Sequence, residues 1–82
     1  MDNKQILGAL AMDLKRAALG LHRKSNSMAG RFLQEAMQRK EEVNTEKLLP
    51  YMQQILMKLH NSLDAEHALM YSTRIQNYVL YK

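Results

Sequence analysis

The amino-acid sequence predicts an all-α fold, a small antiparallel bundle of about four helices. Three observations carry that expectation. The composition is that of a helix former: 3 Gly and 1 Pro in 82 residues, with Leu, Ala, Met, Glu, Gln, Lys and Arg abundant. Valine stands only at Val43 and Val79, and no apolar/polar alternation runs far enough to suggest a strand. Apolar residues recur instead at steps of three and four, in segments punctuated by short Ser, Asn, Asp and Pro stretches. A chain this short supports one core, so residues 1–82 are read as a single domain.

The first helix is predicted from about Asn3 to Arg23. Leu7, Leu10, Leu14, Ala17 and Leu21 form a three-four-three-four stripe, the pattern of a helix–helix seam. Gly8, Ala9, Ala11, Ala18 and Gly20 are small enough to let a neighbouring backbone come close. Met12 and Leu19 form a second apolar line away from the stripe, which implies neighbours on two sides. Ser25, Asn26 and Ser27 then supply turn and cap chemistry, because short polar side chains accept from the free N–H groups of a starting helix.

The second helix is expected from about Met28 to Glu42. Ala29, Phe32, Leu33, Ala36, Met37 and Val43 make its apolar side, and Arg31, Glu35 and Arg39 make a solvated outer line at i,i+4 spacing. Asn44-Thr45 breaks it. The third helix either opens near Thr45 with a distorted turn or begins at Pro50, which fits only a first turn because it lacks an N–H. It is expected to end near His60. Its apolar residues surround it almost completely, so it is read as the central helix. Ser62 or Asp64 caps the fourth helix, and a fusion of helices three and four is the alternative. The fourth helix is given Ala65, Ala68, Leu69, Ser72, Ile75 and Val79 as its inward line. Short links between helices of similar length favour antiparallel neighbours.

Composition excludes several function classes. The sequence has no cysteine, which removes disulfides, thiolate metal sites and a cysteine nucleophile. The N-terminal stretch lacks the continuous apolar run of a signal peptide, and Asp13, Lys15 and Arg16 interrupt any bilayer-spanning length. A cytoplasmic protein without membrane contact is the expectation.

Candidate chemistry is sparse. Asp64 and His67 stand at i,i+3 with Glu66 between them, but bundle di-metal sites use that motif twice. Asp64 reads better as a cap, and no metal or cofactor is expected. His22, His60 and His67 lie near helix ends, where histidine caps carbonyls or faces water. Arg16 and His22, six residues apart, are rotated about 120° from one another on a helix and do not converge. A small helical RNase built on them is therefore only a lesser alternative. No catalytic residue is assigned.

Two surfaces are unusual. From Lys15 to Lys40, seven basic residues face Glu35 alone, a local excess of +6 within a chain of net charge +4. Arg23, Lys24 and Arg31 flank the start of helix two, whose dipole favours anions, and are the candidate anion-binding residues. Nucleic-acid binding through Arg23, Lys24, Arg31, Arg39 and Lys40 is the runner-up function. The second surface is C-terminal: His67, Tyr71, Arg74, Tyr78 and Tyr81 fall at steps of four, three, four and three. Tyrosine and arginine are favoured at interfaces. Together with Met12 and Leu19, the residues Tyr71, Arg74, Tyr78 and Tyr81 are expected to form an interface with a second copy or a protein partner. The reading is a non-catalytic interaction or regulatory module that self-associates.

Overall fold

The computed structural model describes residues 2–81. Helices α1 (Asn3–His22), α2 (Asn26–Glu42), α3 (Pro50–Lys58) and α4 (Ala65–Tyr81) follow in order, with a 3₁₀ turn at Thr45–Lys47. The described residues contain no strand. The expected all-α bundle is therefore what the chain forms. Among the described residues no helix is long and apolar enough to cross a membrane.

Local chemistry sets each boundary. The Asp2 side chain accepts from the Gln5 N–H at 2.8 Å and caps α1. At the other end, the Ser25 N–H reaches the Gly20 carbonyl at 2.7 Å and the Lys24 N–H reaches that of Leu21 at 3.1 Å. This paired closure requires a left-handed residue at Lys24, whose φ is 61°. Lysine holds that conformation at about 1 kcal/mol more than glycine would. Helix α2 starts two residues before the expected Met28, with Ser25 at the cap position but making no side-chain cap bond.

Of the two expected openings of helix three at the next link, the one at Pro50 is what the chain adopts. A short 3₁₀ turn forms at Thr45–Lys47, and Pro50 then occupies the first turn of α3. The Asn3 side chain clamps this link, donating to the Asn44 carbonyl and accepting from the Asn44 N–H, both at 2.9 Å. Gln53 adds bonds to the carbonyls of Thr45 at 2.6 Å and Leu48 at 3.1 Å. Helices α3 and α4 are separate. Asp64 caps α4, its carboxylate accepting from the His67 N–H at 2.8 Å.

The centre of the bundle is α1, and the expectation of a central third helix is corrected. Helix α1 packs against α2 on one side and α4 on the other. Its 20 residues span about 30 Å, most of the 36 Å long axis of the molecule. Helix α3 is only 9 residues, about two and a half turns. It turns Met52, Ile55 and Leu56 inward, while Tyr51 and Met57, with Leu49 just before it, are exposed. Neighbour contacts show both long pairs to be antiparallel: Asp13 meets Arg39 while Gly20 meets Ala29, and Ala11 meets Ser72 while Leu7 shares a recess with Tyr78.

Leu7, Leu10, Leu14, Ala17, Leu33, Ala36, Met52, Leu56, Ala68 and Ile75 make the heart of the core. Gly20 is where α1 and α2 come close; a Cβ there would lie 3.1 Å from the Ala29 backbone nitrogen. Two polar side chains among the described residues are buried with the core. Asp13 is bonded by the Arg39 Nε at 2.7 Å, and Ser72 donates to the Ala11 carbonyl at 2.7 Å. Both join helices across the interior, and both are satisfied.

Candidate functional site

The C-terminal tyrosine face divides in two. Tyr71 and Tyr78 are buried at 8% and 9% exposure, covered by this chain's own elements. That corrects their expected place at a contact with another chain. The reason is a rotation of α4 relative to the expected inward line: Ala68, Tyr71, Ser72, Ile75 and Tyr78 face the core, and Leu69 is exposed. The Tyr78 hydroxyl accepts from the Leu49 N–H at 3.3 Å, so burying this ring leaves its polar end satisfied. Arg74 and Tyr81 stay at the surface.

Around them α3 and α4 build a groove. Tyr51, Ile55, Arg74, Asn77, Tyr78 and Tyr81 line one recess of about 320 Å³. Lys58, His60, Ser62, Asp64, His67 and Tyr71 are among the residues lining a second, of about 360 Å³, further along the same boundary. Both lie near the lower bound of small-ligand cavities, about 300 Å³, and both are open to solvent. The Tyr51 ring stands edge-on to Tyr78, centroids 5.7 Å apart at 72°. Tyr51 therefore belongs to the site, although sequence reasoning did not place it there. Its only signal in the sequence is that it is the single aromatic residue of α3.

In the second recess Asp64 also contacts the His67 ring, with Nδ1 and Oδ1 at 2.8 Å. The His67 N–H and then its ring hold the Asp64 carboxyl below the usual carboxylate range. The Ser62 N–H donates to His60 Nδ1 at 3.1 Å, which places the proton of a neutral His60 on Nε2. Among the described residues no three histidine and acidic side chains converge as a metal-ligand set.

A second surface lies on α1 and α4. Met12, Leu19 and Leu69 are 40%, 44% and 50% exposed. Leu19 and Leu69 line one apolar cleft together with Ala18 and Ala65, and Lys15, His22 and Glu66 stand around it. The Ser72–Ala11 contact sets the register. Moving three residues back along α4 and three forward along α1 puts Leu69 at the height of Leu14, between Met12 and Leu19.

The basic residues scatter. Arg23, Lys24 and Arg31 are exposed near the α1–α2 turn, with Arg31 3.9 Å from Glu35 on its own helix. Arg39 is not on the outer face that its spacing suggests. The hydrogen bond to Asp13 holds its guanidinium above the usual range and occupies its Nε. Lys40 donates to the Leu59 carbonyl at 3.2 Å. Arg16 stacks over Phe32, 5.7 Å from the ring centroid, away from any partnership with His22. No protein-family model, curated protein or solved structure matches this chain.

Proposed function

We propose that this chain is a non-catalytic interaction module that self-associates through the outer face of α1 and α4. One observation carries the reading. Leu19 and Leu69 line one cleft between adjacent helices after the core has closed, and Met12 stands exposed seven residues before Leu19 on the same face of α1. Isolated surface leucines are ordinary, but apolar residues clustered in a cleft with a polar rim are typical of contact sites.

The rim favours a second copy as the occupant. Lys15 and Glu66, of opposite sign, border the same cleft from α1 and α4. In a two-fold contact each face meets its own image, so a residue on one helix meets its complement on the other. With the two-fold axis parallel to the helices, α1 of one protomer lies against α4 of its partner. In the register set by Ser72 and Ala11, Glu66 lies at the height of Ala17, two residues or about 3 Å along the axis from Lys15. Lys15 of each protomer then stands opposite Glu66 of the other.

Sedimentation velocity over a concentration series tests the proposal. A dimer is expected, with Leu19→Glu giving a monomer of unchanged helicity. Glu66→Lys should weaken the dimer, and Lys15→Glu combined with Glu66→Lys should restore it. A parent chain that stays monomeric at the highest attainable concentration refutes the reading.

A further inference from the structure

We propose that the α3–α4 groove is a binding track for a short single-stranded nucleic acid, with Tyr51 and Tyr81 as stacking platforms and Arg74 and Lys58 as phosphate contacts. The groove differs from the self-association face. Arg74 and Tyr81 point about 120–140° away from Leu69 around α4, so both surfaces are open at once.

Charge complementarity selects an anionic occupant. Arg74 lines the recess that holds Tyr51 and Tyr81, and Lys58, His60 and His67 line the other. Asp64 is the acidic residue lining either recess, and its carboxylate is already engaged by His67. His60, with its Nδ1 occupied by the Ser62 N–H, offers its Nε2–H to an anion.

The aromatic groups select the kind of anion. Tyr81 and Tyr51 are 77% and 46% exposed. Tyr51 is braced edge-on by Tyr78, whose hydroxyl is held by the Leu49 N–H, so one platform is ordered before any ligand arrives. Open rings beside cations suit bases, since every base has a π-face and every linkage a charge. An acidic peptide would use the cations, but these open recesses give its side chains little depth for anchoring. Tyr51 and Lys58 are seven residues apart, about 10 Å of helix, a length that spans about three stacked nucleotides.

The test is fluorescence anisotropy of a labelled short oligothymidylate titrated with the full chain at low salt. Binding is expected, with log affinity falling against log salt at a slope of about −1.4 for two neutralised phosphates. Tyr81→Ala should weaken binding by about tenfold, and Tyr81→Phe should retain it. Because Tyr81 is so exposed, its loss leaves the fold intact, which circular dichroism verifies. Three results would each overturn the proposal: no binding at low salt, affinity indifferent to Tyr81→Ala, or polyglutamate bound as tightly as the oligonucleotide.

Discussion

Replacing Arg39 by Met isolates the most consequential polar contact in the core. Asp13 lies 2% exposed between α1 and α2, and the Arg39 Nε at 2.7 Å is its hydrogen-bond partner. Arg39→Met keeps the aliphatic stem but leaves a carboxylate in the interior without its counter-charge. Breaking a buried pair from one side costs about 3–5 kcal/mol. The Arg39 side chain is 35% exposed, so water screens part of the field and the lower end, about 3 kcal/mol, is expected. At about 0.05–0.15 kcal/mol per residue, a chain of this length has about 4–12 kcal/mol in total. The variant should thus lose a quarter or more of its stability. Urea unfolding followed by helical circular dichroism at neutral pH measures the difference. The double variant Asp13→Leu/Arg39→Met should recover most of the loss, because a well-packed apolar pair avoids the desolvation of two charges. A single-variant loss below about 1 kcal/mol, or a double variant no better than the single, would refute the reasoning.

The glycines of α1 carry opposite expectations. Gly8 has open space where a Cβ would stand, so Gly8→Ala should gain about 0.5–1 kcal/mol from helix propensity alone. Gly20→Ala has the same propensity gain but meets the Ala29 backbone at 3.1 Å, and a net loss is expected in the same unfolding assay. For Asp64, the folded-state carboxyl lies below its ordinary value of about 3.9, since His67 bonds to its ionised form. Its contribution is present above the unfolded value and fades as pH falls through the folded one. Acid titrations of stability should therefore show a drop below about pH 4 in the parent that Asp64→Ala lacks.

Much of the scaffold is legible in the sequence because it depends on local chemistry. The Leu7–Leu10–Leu14–Ala17 stripe, the Asp64 cap and a helix start at Pro50 each need only neighbouring residues to be recognised. Helix α4 is harder. Its Ala68–Ser72–Ile75–Val79 line has apolar residues on both flanks, Leu69 on one and Tyr71 and Tyr78 on the other. Periodicity cannot choose between them; the position of α3 does, by covering the tyrosine side. Asp13 interrupts an apolar run in the sequence. Its place between Leu10, Leu14 and Ala17 puts it on the inward face, and that is a signal that a partner has to exist. The i,i+4 spacing of Arg39, by contrast, points to solvent, and only the approach of α1 makes it a core partner.

The position of α1 has a consequence for how the chain acquires its structure. Ser72 reaches Ala11 across 61 residues of sequence, whereas α1 and α2 are joined by a tight turn. Closing the short hairpin costs less chain entropy than closing the long loop. During synthesis the α1–α2 hairpin can therefore assemble early, while the opposite flank of α1 waits, uncovered, for α4 to leave the ribosome. That interval is when this chain is most open to aggregation, and chaperone demand should peak there.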